Sequence, residues 1–171
     1  IDLAPHDLDL LRWLLGSEPE IIASQTAQRL HTEFEDLLNA ILRFPQDIIA
    51  TLEINWLTPT KVREINVLGE RGLLRVDDLT QDLYFYENSE APSRWDAMAL
   101  FRGVGEGNVM KFRLNKVEPL EAEIRAFIEA AKNGTPPAVS GQDAMHALAL
   151  VQLLLASSER GLMLRVADEV A

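Results

Sequence analysis

Residues 38–56 read Leu-Asn-Ala-Ile-Leu-Arg-Phe-Pro-Gln-Asp-Ile-Ile-Ala-Thr-Leu-Glu-Ile-Asn-Trp, and the period of this stretch decides the fold. Ile48, Ala50, Leu52, Ile54 and Trp56 fall on one side of an alternating pattern. Asp47, Thr51, Glu53 and Asn55 fall on the other, with Ile49 the one apolar exception. Leu38, Ala40, Leu42 and Phe44 alternate in the same way. A period of two with one apolar face predicts half-buried antiparallel strands, and Pro45-Gln46-Asp47 between them predicts a hairpin. Working outward, further strands are predicted at Ile21–Arg29, Val62–Gly69, Leu73–Val76, Leu83–Tyr86, Val109–Val117 and Leu162–Val166. Gly69-Glu70-Arg71-Gly72 makes a second tight connection.

The period lengthens to that of a helix on both flanks. Leu8, Leu11 and Leu15 recur at helical spacing within Asp7–Leu15, with Trp13 and Leu14 widening the apolar face, and Gly16 and Pro19 stop the run. Downstream, Pro119 opens a helix striped by Leu120, Ile124, Phe127, Ile128 and Ala131 and ended by Asn133-Gly134. Ser140 with Asp143 three residues on is a capping-box pattern that starts a long apolar helix running to about Arg160. One helix, a run of strands and two helices make an α+β fold: an open, mostly antiparallel sheet with helices packed on one face.

A chain of 171 residues fits one domain or two small ones and is long enough for a real core. With 27 acidic and 16 basic residues, the net charge of −11 repels a phosphate backbone, so no nucleic acid partner is expected. The absence of cysteine excludes a disulfide framework, a thiolate zinc site and a cysteine nucleophile, and fits a cytoplasmic protein. No apolar run is long enough to span a membrane. The chain opens Ile-Asp-Leu-Ala-Pro-His, without a Met, and reads as part of a longer protein.

The residues with chemical potential are few. Asp2 and His6 stand four apart. On a helix they would share one face, where a carboxylate fixes the tautomer of an imidazole and raises its basicity, as a general base requires. The alternative is an acidic helix start favoured by the helix dipole. Lys61 and Arg63 would share a strand face and could hold a phosphate or carboxylate, or could simply pair with Glu53 or Glu64. His6, His31 and His146 lie in three separate elements with no common ligand spacing, so no metal site is expected. His31 reads as a solvated turn residue and His146 as a satisfied, partly buried one. The long segment Asn88–Asn108 contains Gly103-Val104-Gly105-Glu106-Gly107, which fails the dinucleotide fingerprint at Asn108 and reads as a flexible loop. The polar sheet face carrying Asn39, Arg43, Thr51, Glu53 and Asn55, with Ile41 and Ile49 interspersed, is either an oligomer interface or plain solvent-facing surface.

Several of these segments together resemble a known family. Asp2-Leu3-Ala4-Pro5-His6-Asp7-Leu8-Asp9, continuing into Arg12-Trp13-Leu14-Leu15-Gly16, is similar to the D-x-x-x-H segment of the Gfo/Idh/MocA oxidoreductases. Glu118-Pro119-Leu120 through Phe127-Ile128, Asn133-Gly134, Val139–Ala144 and Ser157-Ser158 resemble that family's closing helices. The resemblance implies a single C-terminal domain over 1–171, of the glyceraldehyde-3-phosphate dehydrogenase-like kind, with the cofactor-binding Rossmann domain outside this chain. It implies that His6 takes a proton from a sugar or cyclitol hydroxyl, with Asp2 assisting, while hydride leaves for NAD or NADP. It also implies homo-oligomers, dimers or tetramers, through the open sheet face. Trp56–Arg63 with Gly69–Asp77 looks like the members that oxidise nucleotide sugars, such as UDP-N-acetylglucosamine 3-dehydrogenases, which would bring Lys61 or Arg63 to the substrate. Inositol and simple-sugar dehydrogenases, and a non-catalytic module of the same fold, are the alternatives.

Overall fold

The computed structural model describes residues 2–30, 33–90 and 104–169. They form two compact units, Ile1–Pro59 with Ile124–Ala171, and Thr60–Glu123.

The first unit contains α1 (Ala4–Leu15), β1 (Ile21–Ala27), β2 (Leu37–Arg43), β3 (Ile49–Asn55), α3 (Gly141–Arg160), β8 (Leu164–Arg165) and a final helical turn, α4 (Val166–Glu169). The division between the units falls inside α2 (Pro119–Asn133). The expected hairpin is present: β2 and β3 pair antiparallel from Leu37↔Asn55 to Arg43↔Ile49. Its turn, Pro45–Asp47, places Gln46 and Asp47 at φ 63° and 59°, both in the left-handed region, and the Phe44 amide closes it on the Ile48 carbonyl at 2.8 Å. The sheet order is β3-β2-β1-β8, all antiparallel.

One face of this sheet is the core. Leu38, Ala40, Leu42 and Phe44 are buried with Ile22 and Ile54, against Leu150, Val151, Leu153 and Leu154 of α3 and Ala4 and Leu8 of α1. α3 lies on β1, and α1 packs on α3. Ser140 caps α3 as expected, its Oγ accepting from the Asp143 amide at 3.1 Å while the Asp143 carboxylate accepts from the Ser140 amide at 2.9 Å. Two expectations for apolar faces need correction. Trp13 is 77% exposed, because only Ala4, Leu8, Leu11 and Leu15 line the seam of α1. Ile48 and Trp56 flank β3 rather than belong to it and remain exposed.

β1 is a covered edge. β8 reaches only Ile21 and Ile22. Beyond them α3 supplies the partners: Ser157 Oγ accepts from the Ser24 amide at 3.1 Å, and Ser158 Oγ accepts from the Thr26 amide at 2.9 Å. Ser157 Oγ in turn donates to the Leu162 carbonyl at 2.6 Å, and the Ser24 hydroxyl donates to the Leu154 carbonyl. The last strand is shorter than the sequence pattern implied, since Val166 already begins α4.

The second unit is a sheet of β4 (Glu64–Gly69), β5 (Gly72–Asp77), β6 (Asp82–Glu90) and β7 (Val104–Phe112) in sequential antiparallel order. The glycine run read as a loop is partly strand: Val104, Gly105 and Glu106 pair with Glu90, Ser89 and Asn88, while Gly103 lies outside the described residues. Gly107 sits at a bulge between Tyr86 and Asn88, where a Cβ would come within 2.6 Å of the Glu87 carbonyl oxygen. A close backbone approach, and not a phosphate loop, accounts for that glycine. The register places Ile65, Val76, Leu83 and Phe112 on one face and Asn66, Arg75, Tyr84 and Lys111 on the other. On that second face Lys111 Nζ lies 5.1 Å from the centre of the Tyr84 ring and 2.9 Å from Asp82, which Lys116 also reaches at 2.9 Å. The stripe of α2 forms as expected, but Leu120, Ile124, Phe127 and Ile128 stay exposed.

Two outcomes follow from this packing. Ser157→Ala removes the acceptor of the Ser24 amide and the donor to the Leu162 carbonyl in a site only 1% exposed. Urea unfolding should show a loss of about 1–3 kcal/mol, the cost of leaving buried polar groups unpaired. Hydrogen bonds from Lys111 and then Lys116 hold the Asp82 carboxyl at about 2, below its ordinary 3.8. A depressed carboxyl stabilises the fold fully above its unfolded value, and that contribution is lost as pH falls through the folded one. An NMR titration should therefore place the Asp82 midpoint near 2. In Asp82→Asn the pH dependence of stability should flatten on the acid side.

Candidate functional site

The chemistry-bearing end of the first unit is α1. Pro5 sits in its first turn, where a missing N–H costs no helical bond, and Leu3 is the N-cap without a side-chain hydrogen bond. The His6 amide donates to the Leu3 carbonyl at 3.2 Å, a tightened first turn. Asp2 therefore stands just before the helix and His6 just inside it. Both are exposed, and no hydrogen bond or ion pair joins their side chains. The expected pairing on one helical face is not made. Lys61 and Arg63 lie in the second unit, in the segment before β4 and not on the strand. Arg63 pairs with Asp78 at 3.7 Å, while Glu64 belongs to Arg75, at 2.5 Å. His31 lies outside the described residues.

A polar cluster that the sequence reading missed lies further along α1. The Arg12 side chain is only 10% exposed. Its Nε donates to both Glu18 oxygens at 2.8 Å, and its Nη2 reaches Glu18 Oε1 at 2.6 Å. Nη1 donates to the Asp143 main-chain carbonyl at 3.2 Å and to Asp9 Oδ1 at 3.4 Å. Nη2 also lies 3.0 Å from His146 Nδ1. The same ring nitrogen lies 3.4 Å from Glu18 Oε1, so Nδ1 accepts from Arg12 in the tautomer protonated at Nε2 and donates to Glu18 in the other. His146 is thus satisfied, as expected, but nearly half exposed and not buried.

The electrostatics match the geometry. The Arg12 hydrogen bonds hold the Glu18 carboxyl below the usual carboxylate range, against a smaller opposing effect of burial. The hydrogen bond it donates to Glu18 raises Arg12 in turn, and Ser140 lowers Asp143. The local signal for this cluster was weak. Asp9 and Arg12 stand three apart on one helix, but Glu18 lies beyond the helix end and His146 is 134 residues away. Among the described residues no group of three or more His, Asp or Glu could hold a metal, and no helix is long and apolar enough to cross a membrane.

Comparison with known proteins settles the fold family. Residues 1–166 match the family model described as oxidoreductase family, C-terminal alpha/beta domain. A myo-inositol 2-dehydrogenase of Thermotoga maritima is 25% identical over 158 residues, which cover 88% of this chain and 43% of that protein. Among solved structures, the UDP-N-acetylglucosamine 3-dehydrogenase GnnA from Acidithiobacillus ferrooxidans superposes with a TM-score of 0.72 at 23% identity, covering 92% of this chain and 46% of that one. The WlbA dehydrogenase from Bordetella pertussis, solved with NADH and UDP-GlcNAcA, superposes with a TM-score of 0.63 at 24% identity, covering 95% and 43%. The chain thus spans less than half the length of these relatives. With its antiparallel sheets, its α1–α3 packing and a family match over nearly every residue, the chain belongs to the Gfo/Idh/MocA oxidoreductases as their C-terminal α/β domain.

Proposed function

We propose that this chain is the substrate-side domain, 1–171, of an NAD(P)-dependent dehydrogenase acting on a sugar, nucleotide sugar or cyclitol hydroxyl, with His6 as general base. The carrying observation is the exposed imidazole of His6 in the first turn of α1, in a chain matched to the oxidoreductase family over residues 1–166. In this reading His6 takes the proton of the reacting hydroxyl, the C–O bond becomes C=O, and the hydride leaves its carbon for the nicotinamide. Asp2, one turn away, would turn toward the imidazole once substrate is bound, because catalytic hydrogen bonds often tighten only in that complex. Lys61 and Arg63 would serve an anionic part of the substrate, Arg63 after releasing Asp78.

No described residue is assigned to the cofactor, since the one glycine-rich run is a strand at a bulge. The cofactor would be held by the part of the whole protein outside this chain. The relatives' names divide between an inositol and UDP-sugars, so the substrate class is drawn as polyhydroxylated and not narrowed further. The cysteine-free composition supports a cytoplasmic setting.

The open face of the first sheet supports an assembly role. Ile21, Ala23, Ile41 and Ile49 lie together on it, with Arg43, Asn39, Thr51 and Glu53 around them, and Ile41 and Ile49 are 56% and 68% exposed. A face of this mixed kind fits a two-fold contact between copies, apolar in its middle and polar at its rim.

The test is NAD(P)H formation by the whole two-domain protein against UDP-sugars and cyclitols. His6→Ala should lower kcat/KM at least about a hundredfold, the low end for loss of a general base. Turnover that survives the substitution would remove His6 from that role. Light scattering should report a dimer or tetramer that dissociates on Ile41→Glu with Ile49→Glu. A monomeric parent would end the assembly reading.

A further inference from the structure

We infer that Arg12 is a positioning residue for His6: its guanidinium locks α1 into one register on α3, and that register sets where the imidazole stands. The inference rests on the dehydrogenase reading above. α1 packs on α3 through a seam of Ala4, Leu8, Leu11 and Leu15. Such a seam nearly repeats itself every turn, since Leu8 and Leu11 are followed by Leu15 at the same helical spacing. Dispersion and burial are non-directional, so this stripe alone discriminates weakly between registers about 5.4 Å apart.

The polar contacts are not repetitive. Arg12 Nη1 meets one carbonyl on α3, that of Asp143, at 3.2 Å, and Nη2 meets one imidazole on α3, His146, at 3.0 Å. Neither survives a slip of one turn. The fork is itself held from the other side by Glu18, which accepts from Nε and Nη2, and by Asp9 on α1. Asp143 is fixed as well, because its carboxylate is engaged by Ser140 in the capping box of α3. Arg12 thus joins α1, the segment after α1 and the first turn of α3 at one point only 10% exposed.

His6 precedes Arg12 by six residues, about 9 Å along the helix axis. A general base must come within about 3 Å of the proton it removes. A slip of one turn carries His6 out of reach, and a displacement of even about 1 Å costs on the order of a hundredfold in rate. Lysine keeps the charge of Arg12 but has no fork, and it cannot hold Glu18, Asp143 and His146 together.

The experiment compares the parent, Arg12→Lys, Arg12→Ala and His6→Ala in the whole two-domain protein. Steady-state kinetics and thermal unfolding are measured on each, together with amide exchange of α1 relative to β1 and β2. Positioning predicts that Arg12→Lys lowers kcat by about ten- to a hundredfold, with KM for both substrates within about threefold and a melting midpoint that falls but stays well above the assay temperature. It also predicts faster exchange in α1 alone, and partial recovery of Arg12→Ala on adding guanidinium ion. Parental kcat in Arg12→Lys overturns the inference. So does a loss of kcat matched by the same loss of folded protein, or exchange that rises equally in α1, β1 and β2. His6→Ala tests the dehydrogenase reading separately: full activity there removes the base. If the parent turns over no substrate, slow, parental exchange of α1 in Arg12→Lys still overturns the lock.

Discussion

The seating of α3 on β1 is the constraint on which the first unit depends. One face of α3 buries Ala147, Leu150, Val151, Leu153, Leu154 and Ser157. Leu150, Val151, Leu153 and Leu154 share one core with Ile22, Leu38, Leu42 and Phe44. The serines of α3 then complete what burial alone cannot. Strand β1 is a middle strand by position but lacks a full neighbour on one side, because β8 pairs with only Ile21 and Ile22. Unpaired amides beside a dry core are costly, and Ser157 and Ser158 accept from the two that remain. The same helix therefore supplies the core and closes the edge of the sheet.

α1 depends on α3 in turn, and the candidate chemistry depends on α1. The helix bearing His6 is anchored by a narrow apolar seam and by one arginine whose donors are almost all engaged. Hydrogen bonds from Arg12 and Ser140 lower the Glu18 and Asp143 carboxyls, so both stay ionised further into the acid range. His6, by contrast, is exposed and uncommitted. The apolar surface left on α1, with Trp13 and Leu14 exposed, is separate from that anchor.

The second unit has a different balance. Its sheet divides by register into an apolar face and a face on which Asp82, Lys111 and Tyr84 meet in ion pairs and a cation–π contact. What the two lysines add through Asp82 is present at neutral pH and is lost as its carboxylate protonates at low pH. The stretch read as a flexible loop pairs with β6 from Val104 onward, with a bulge at Gly107.

The sequence by itself determined the elements. Alternation in 38–56 gave the β2–β3 hairpin, the Ser140–Asp143 box gave the start of α3, and the D-x-x-x-H opening with the closing helices pointed to the family that the comparison then established. These features are legible because each is a local rule with a period or a fixed offset. Tertiary structure alone decided which apolar residues are buried. Leu8 and Trp13 look alike in the stripe of α1, yet one is in the core and the other in the open, because only one seam faces α3. It also decided that residues 104–107 run in a strand, which partner Arg63 takes, and the assembly of Arg12, Glu18 and His146 into one cluster. Those outcomes join residues up to 134 positions apart. No local period encodes such a meeting, since it exists only once a packed helix has brought the two ends of the chain together.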